Sequence, residues 1–221
     1  MRYDENRMAV FTTHDRLTLD VHIWEPQTPS AVIMGIHGGL AHAGDFVTPA
    51  RFFRECGIAT AAWDLRGHKQ KTVHIRRFDQ LVSDARSFLD WIGNAYPGLP
   101  VFCMGHSAGA LIGTYLGLGM NPAKSPIKGF VFSSPYYGNA ITAPPMAIPL
   151  IRLMSRLAPR MPIPSPDFTD QLTHDSLITA RHRQDALDGI RSRKGSMRFG
   201  AELFKAQRGI KSRIGQWAFP M

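Results

Sequence analysis

The pentapeptide Gly105-His106-Ser107-Ala108-Gly109 carries the residue types that nucleophilic chemistry needs. An apolar run at 101–104 enters it, and a small-residue segment leaves it, so the pattern predicts a strand that turns tightly into a helix at Ser107. Gly105 and Gly109 have no β-carbon to clash where strand and helix cross. A hydroxyl at a helix N-terminus also lies where developing negative charge is favoured. Such a pentapeptide occurs by chance in about one chain of this length in ten. The surrounding sequence must therefore decide whether it is a functional motif.

Strand and helix patterns alternate around this pentapeptide. Apolar or alternating runs predict strands at 8–13, 17–24, 31–36, 58–63, 101–104 and 127–135. Residues 17–24 alternate strictly, which predicts a half-buried strand. Helical spacing predicts helices at 45–56, at 78–95 and from the pentapeptide to about residue 119. We therefore predict an α/β fold with a doubly wound, mostly parallel sheet and antiparallel strands near its N-terminal edge.

The inward faces of the first two helices follow from the same spacing. In the first helix the inward residues are Phe46, Ala50, Phe53 and Cys56, and in the second they are Leu81, Ala85, Phe88, Leu89 and Ile92.

Parallel sheets bind ligands beyond the carboxyl ends of their strands. The loops that begin at His37 and Asp64 follow strands, as Ser107 does, so all three are predicted to meet at that edge.

The composition suits one globular domain with a sizeable core and a small insertion: 221 residues, 44% hydrophobic. The polar N-terminus lacks the apolar core of a signal peptide, and no apolar run has the length of a membrane span. Cys56 and Cys103 lie in apolar contexts, which predicts buried thiols and a reducing cytoplasm. We therefore expect a cytoplasmic protein, with peripheral membrane contact as a further expectation.

The net charge of +9 is concentrated near the C-terminus. Residues 181–213 hold ten basic and three acidic side chains, a net +7. Solvated helix faces whose acidic partners lie elsewhere explain such a bias, as does binding to an anionic surface. We do not expect nucleic-acid binding, because the sequence has no zinc spacing, helix-turn-helix or aromatic RNA-binding motif.

A proline-punctuated apolar run covers residues 143–157. It predicts a basic amphipathic helix with Arg152, Arg156 and Arg160 on one face and with Leu150, Ile151, Met154 and Leu157 largely opposite. Such a helix suits a membrane interface or a lid over an apolar pocket, and ordinary packing against the domain is the alternative. Two further helices are predicted at 176–187 and 196–206.

Taken together, these residues resemble the α/β-hydrolase fold, and within it the monoacylglycerol lipase and lysophospholipase-like branch. The pieces that carry the resemblance are His37-Gly38-Gly39, 63–68, Gly105-His106-Ser107-Ala108-Gly109, and the cap-like stretches 172–175 and 184–187. They occur in the family's order and spacing. The resemblance covers roughly residues 7–207.

The resemblance implies roles for individual residues. Ser107 would be the nucleophile that forms an acyl-enzyme, and the backbone N–H groups of Gly39 and Ala108 would form the oxyanion hole. His37 would fix the glycine loop, and Asp64, Arg66 and His68 would also be structural. The side chain of His106 is expected to point away from Ser107.

The chain departs from the family pattern after the cap. The order in this fold is Ser, then Asp or Glu, then His. The resemblance places that acid in a Gly-x-x-Asp turn and the His in a later loop, and it implies about 60 further residues, or two βα units. Residues 210–221 end where Pro and an apolar residue would open the next strand. A second departure is Lys69-Gln70, where the family has Gly-x-Ser.

No triad acid or His is identified in the chain. His174 and His182 lie in the cap stretch, and Asp167, Asp170 and Asp175 precede them too closely to form the usual separated pair. Recruitment of one of these histidines as a substitute base is an alternative. Continuation of the coding frame beyond Met221 with such a Gly-x-x-Asp and a later His would complete the family's triad.

The predicted organisation is a core at 1–135, a helical cap at 136–195 and a return helix at 196–221. We expect a serine hydrolase of carboxylic esters, of monoacylglycerol or lysophospholipid type, that is inactive or weakly active because it lacks a base. The alternative is a non-catalytic lipid- or membrane-binding module. We expect a lipid-like ester as the partner, membrane contact through Arg152, Arg156 and Arg160, and no cofactor or metal. The oligomeric state stays open.

Overall fold

The computed structural model describes residues 2–138, 146–163 and 169–221. The strands there are β1 Arg7–Thr12, β2 Thr18–Trp24, β3 Ala31–Ile36, β4 Ile58–Trp63, β5 Thr72–Val73, β6 Val101–His106, β7 Ile127–Ser133 and β8 Lys194–Gly195. The helices are α1 Val47–Glu55, α2 Phe78–Ala95, α3 Ala108–Leu118, α4 Ala147–Leu157, α5 Ser176–Leu187 and α6 Met197–Lys211. No helix in these ranges is long and apolar enough to cross a membrane.

The main sheet has six strands in the order β1-β2-β4-β3-β6-β7. β1 pairs antiparallel with β2, and β2 antiparallel with β4, whereas β4, β3, β6 and β7 run parallel. The predicted doubly wound sheet, with its antiparallel strands at the N-terminal side, is confirmed. Because the four parallel strands share a carboxyl edge, the loops after β3 and β4 meet the turn after β6 there.

Helix α2 supplies much of the core beneath this sheet. Its predicted inward face is confirmed, since Leu81, Ala85, Phe88, Leu89 and Ile92 are all buried. The ring of Phe88 packs against that of Trp63 on β4, with ring centroids 4.4 Å apart.

Strand β2 was predicted to be half-buried, and this is wrong from Val21 onward. Both faces of its last four residues are buried. The second face lies under the N-terminal segment and the start of α1, where Tyr3 and Phe46 pack near Trp24. The indole Nε1–H of Trp24 donates to Tyr3 O at 2.8 Å. The alternating pattern of β2 does not indicate that other segments bury its second face as well.

The prediction of two buried cysteines holds for Cys103 only. Cys103 lies on β6 inside the core, where burial raises the pKa of its thiol. Cys56 is exposed, because α1 ends at Glu55 and Cys56 occupies the C-cap position. Of the predicted inward face, Phe46 and Ala50 are buried, and Phe53 is only partly covered.

Three helices follow the core. Helix α5 spans the predicted residues, whereas α6 extends to Lys211, beyond the predicted end near 206. Helix α4 packs on α6, with Ile151 facing Gly200. The predicted residues 143–145 and Asp167 lie outside the described residues.

The apolar side chains of α4 are covered to different extents, and one predicted face is wrong. Ile151 and Met154 are partly buried, whereas Leu150, Leu153 and Leu157 are exposed. The helix ends at Leu157, so Arg160 lies beyond it and shares no helical face with Arg152 and Arg156. Pro159 explains this end, since a proline disfavours helical backbone in the residue before it.

Two further features were not predicted. β5 and β8 form a two-stranded parallel sheet that ties the segment after Asp64 to the start of α6. At the other side of the main sheet, the N–H of Phe130 on β7 donates to Pro220 O at 3.0 Å. Phe219 is buried there against the ring of Phe130.

Candidate active site

Ser107 occupies a strained turn between β6 and α3. Its φ of 52° and ψ of −115° lie where non-glycine residues are rarely found. Its N–H donates to Ser133 O on β7 at 2.9 Å, and its carbonyl accepts from Tyr136 N at 3.1 Å. The turn is therefore held on both sides. As the N-cap of α3, Ser107 also meets the positive end of that helix dipole.

The two glycines of the pentapeptide are required by close backbone contacts. A β-carbon on Gly105 would lie 2.7 Å from Ala110 N, and one on Gly109 would lie 2.0 Å from Ile36 O. Both distances are too short for any side chain. This is the crossing of strand and helix that the sequence predicted.

The glycine loop after β3 lies directly beside this turn. A β-carbon on Gly38 would lie 3.5 Å from Ser107 Cβ, and one on Gly39 would lie 3.6 Å from Ala108 Cβ. The predicted oxyanion-hole residues Gly39 and Ala108 are therefore neighbours. Their N–H groups remain the predicted donors.

His37 fixes the direction of the Gly39 N–H through one peptide group. Leu65 N–H donates to His37 Nε2 at 2.9 Å, so the proton of the neutral ring is on Nδ1, which donates to Gly38 O at 2.8 Å. In a trans peptide the Gly38 carbonyl and the Gly39 N–H point in opposite directions. Burial, followed by the neighbouring His68, lowers the pKa of His37 to about 3, so the ring stays neutral.

His68 holds the other side of the same loop. Its Nε2 lies 3.1 Å from Gly39 O and its Nδ1 3.1 Å from Arg66 O. Its ring meets that of His37 edge-on, with centroids 4.9 Å apart. Burial lowers the pKa of His68. This geometry agrees with the structural role that the resemblance implied.

Asp64 and Arg66 are both engaged in ion pairs. Asp64 Oδ1 accepts from Ala43 N at 2.9 Å, and Asp64 Oδ2 lies 3.1 Å from Lys69 Nζ. Arg66 binds Asp84 and, at 2.8 Å, Asp15. Lys69, which departs from the family pattern, thus supplies a counter-charge to a buried carboxylate.

The described residues place no base at Ser107. The Ser107 hydroxyl makes no hydrogen bond within the described ranges. His106 lies beside β7, with its Nδ1 3.4 Å from Ser133 Oγ. His174 is exposed ahead of α5, and His182 Nε2 lies 3.5 Å from Asp45 Oδ1.

His42 has an aspartate partner, as a triad histidine does, yet neither of its ring nitrogens is free. Gly44 N–H donates to His42 Nδ1 at 3.1 Å, so Nε2 carries the proton and donates to Asp185 Oδ2 at 3.1 Å. With one nitrogen accepting and the other donating, His42 cannot take a proton from Ser107. It is a structural histidine of the loop that follows Gly39.

Asp185 is the centre of a buried polar network that was not predicted. It is fully buried on α5, accepts from Tyr3 OH at 3.0 Å and pairs with Arg2 Nη2 at 2.7 Å. Burial alone would raise the pKa of Asp185, but the hydrogen bond from His42 and the further contacts lower it. The stretch 184–187 had been singled out only through its resemblance to a cap signature.

Asp45 continues the network toward the cap. It pairs with Arg191 and with His182, and these partners outweigh its burial, so the pKa of Asp45 is lowered. Donor atoms of His42, Asp45 and Asp185 lie within 4.8 Å of one another, a spacing that a metal ion could use. The guanidinium groups of Arg2 and Arg191 already balance both carboxylates, so we describe the group as an ion-pair network.

Residues 27–221 match the protein family described as Serine aminopeptidase, S33. The chain belongs to that family. The match includes the glycine loop, the pentapeptide and the cap helices, so the resemblance found in the sequence is confirmed.

Two relatives show how much of such a protein the chain spans. It is 30% identical over 178 residues to a monoacylglycerol lipase of Mycolicibacterium smegmatis, which covers 78% of this chain and 61% of the relative. It is 30% identical over 188 residues to the phospholipase YtpA of Bacillus subtilis, which covers 82% and 69%. The S33 chain thus spans about three fifths of the mycobacterial relative.

The fold is similar to that of a Paleococcus ferrophilus monoacylglycerol lipase. The TM-score is 0.75 at 18% identity, and the match covers 92% of this chain and 76% of that one. The predicted α/β-hydrolase fold is confirmed.

Proposed function

We propose that this S33 protein acts on carboxylic esters through Ser107. The observation that carries the proposal is the strained Ser107 turn with Gly39 and Ala108 packed against each other beside it. Strain of this kind persists only where surrounding structure enforces it, and it clusters at reactive sites. The arrangement supports acyl transfer with a preorganised oxyanion hole.

The proposed reaction has two stages. Ser107 Oγ bonds to the ester carbonyl carbon, the carbonyl oxygen becomes an oxyanion that accepts the N–H groups of Gly39 and Ala108, and the alcohol leaves with the serine proton. Water then attacks the acyl-enzyme and releases the acid and free Ser107. By analogy with measured enzymes, each oxyanion donor contributes about 3–4 kcal/mol to lowering the barrier.

The proposed activity is slow in this chain. No histidine in the described ranges makes a hydrogen bond to the Ser107 hydroxyl, and His42, whose partner Asp185 is buried, has both ring nitrogens engaged. Enzymes that lose a triad member keep about 10³–10⁴-fold catalysis over water from the oxyanion hole and from binding. We expect a residual rate enhancement of that order over the uncatalysed reaction.

A long-chain monoester is the proposed substrate class. The exposed leucines of α4 give the cap an apolar surface, and ester lipids are named for both bacterial relatives.

An alkyl fluorophosphonate tests the nucleophile. We expect slow labelling that tryptic mass spectrometry locates at Ser107, absent in Ser107→Ala and in heat-denatured protein. Ser133→Ala is the matched control, because it removes another hydroxyl at the same sheet edge and should label like wild type. Labelling that persists in Ser107→Ala would refute the proposal. Fast labelling of Ser107 would show that a base activates it. That result would contradict the expected low activity but not the role of Ser107 as the nucleophile.

Membrane binding without catalysis is a second candidate, favoured by the exposed face of α4. Leu150, Leu153 and Leu157 recur at helical spacing and are each more than half exposed. Arg152 and Arg156 lie on the same helix and are also exposed. Apolar and basic side chains together suit an anionic membrane interface.

Co-sedimentation with phosphatidylglycerol vesicles tests this second candidate. Binding should persist in Ser107→Ala and be lost when Leu150 and Leu153 become Glu or when Arg152, Arg156 and Arg160 become Gln. Leu177→Glu is the matched control, since Leu177 is exposed on α5 instead. Absence of vesicle binding by the wild-type chain would end the candidate.

A further inference from the structure

The ring of Phe199 on α6 covers Gly39, which carries one of the predicted oxyanion-hole donors. A β-carbon on Gly39 would lie 3.5 Å from Phe199 Cζ and 3.6 Å from Ala108 Cβ. Phe199 itself is only 5% exposed. The tip of a buried aromatic ring therefore packs on the same side of Gly39 as Ala108.

Phe199 also contacts the residue that lies at the Gly39 carbonyl. His68 Nε2 lies 3.1 Å from Gly39 O, and the rings of His68 and Phe199 meet edge-on with centroids 5.9 Å apart. On the other side of Gly39, the Nδ1 of His37 donates to Gly38 O at 2.8 Å. The carbonyls of both peptide groups that flank Gly39 are thus held by histidines, and Phe199 packs on the Cα between them.

The start of α6 fixes the position of this ring. Ser196 is the N-cap of the helix, and its Oγ accepts Phe199 N–H at 3.2 Å. A β-carbon on Gly195 would lie 2.7 Å from Phe199 Cδ1, so the ring lies directly against backbone there. The ring therefore lies between two glycines, Gly195 and Gly39, and such close packing leaves it little room to move.

The first turn of α6 is in turn held by the segment that follows α4. Met197 N–H donates to Met161 O and Ile163 N–H donates to Gly195 O, both at 2.8 Å. These hydrogen bonds lie directly before and after Ser196 in the chain. The ring that covers Gly39 thus has a support that lies outside the glycine loop.

We propose that Phe199 is a positioning residue for the Ser107 reaction, because it holds Gly39 where its N–H faces the developing oxyanion. This inference rests on the proposed function. Preorganised donors act only while they are aimed at the developing charge, and a displacement of about 1 Å costs up to about 10²-fold in rate. Loss of the Phe199 contact should therefore slow the chemical step.

Phe199→Leu tests the proposal in the full chain, because leucine keeps the position apolar and removes the ring tip that meets Gly39. We expect labelling of Ser107 by the alkyl fluorophosphonate to slow at least about tenfold. Phe199→Met, with its longer side chain, should recover part of that rate. Leu203→Val is the matched control: Leu203 is 7% exposed, lies about 6 Å further along α6, and its variant should label like wild type.

The ¹⁵N order parameter of the Gly39 amide measures the packing directly and needs no activity. It should stay near the rigid value of about 0.85 in wild type and in Leu203→Val, and fall in Phe199→Leu. An unchanged order parameter in Phe199→Leu would overturn the proposal, as would equal labelling rates in Phe199→Leu and Leu203→Val. If wild type were not labelled at Ser107 at all, the proposed function would fail, and the order parameters alone would decide whether Phe199 holds Gly39.

Discussion

His42 Nε2 and Asp185 Oδ2 lie 3.1 Å apart although 143 residues separate them in the chain. One belongs to the loop that continues from His37-Gly38-Gly39, and the other to helix α5. Their hydrogen bond joins the cap to the active-site edge of the core. It also commits the tautomer of His42, because Gly44 N–H occupies the other nitrogen.

Replacing Asp185 with Asn should destabilise the protein. The amide keeps the shape but removes the charge that faces His42 and Arg2, and it leaves buried polar groups poorly paired. We expect the free energy of unfolding to fall by about 1–3 kcal/mol in urea titrations.

Asp188→Asn is the matched control, because Asp188 also pairs with Arg2, at 2.6 Å, but is partly exposed. It should change the midpoint of unfolding little, since exposed ion pairs contribute little. Equal losses in the two variants would mean that burial of Asp185 is not what matters.

His37 should make stability depend on pH in the acid range. Its folded pKa of about 3 lies below the ordinary 6.5, so the unfolded chain takes up a proton that the folded chain refuses. The stabilisation is therefore fully present above pH 6.5 and lost progressively as pH falls toward 3. His37→Asn should flatten this part of the curve of unfolding free energy against pH.

The exposed His14 provides the comparison for that experiment. His14→Asn should leave the slope of the pH curve as it is in wild type. A slope that is unchanged in His37→Asn would contradict a neutral, buried His37.

Gly109→Ala should prevent normal folding or cost at least about 3 kcal/mol, because a β-carbon there would lie 2.0 Å from Ile36 O. Gly93→Ala on α2 should instead stabilise by about 0.5–1 kcal/mol, since nothing lies within 4 Å of its new β-carbon. Thermal unfolding of the two variants measures the contrast. The two variants must change the stability in opposite directions. If Gly109→Ala were tolerated, α3 would not pass as close to the end of β3 as the structure shows.

Ser107→Gly should be more stable than wild type by about 1 kcal/mol, because glycine accepts a positive φ without strain. The same change removes the hydroxyl and should abolish fluorophosphonate labelling. Ser107→Ala, which keeps the β-carbon and therefore the strain, should show no such gain. Equal stability of all three proteins would indicate an unstrained turn.

Local patterns in the sequence predicted the parts of the site that depend on neighbouring residues. The tight turn at Ser107 and the need for Gly105, which meets Ala110, arise within five residues, and the buried face of α2 follows from helical spacing. The parallel direction of β4, β3, β6 and β7 follows from the alternation of strands and helices. These features need no knowledge of distant partners.

Features that join distant segments were not predicted. Nothing near His42 distinguishes it from a candidate base, and only the fold brings Asp185 to its Nε2 and Gly44 N–H to its Nδ1. The two-residue strands β5 and β8 are too short to leave a periodic pattern. Cys56 was misplaced because one position past a helix end decides whether a side chain faces the core or water.

The second and third residues of the chain reach into the junction between core and cap. Tyr3 donates to Asp185, its carbonyl accepts from the Trp24 indole, and Arg2 pairs with the same aspartate. A fluorophore attached to the segment that holds Arg2 and Tyr3 would therefore lie within a few side chains of that junction. Its emission would give a spectroscopic readout of cap displacement, with no label needed on the cap or near Ser107.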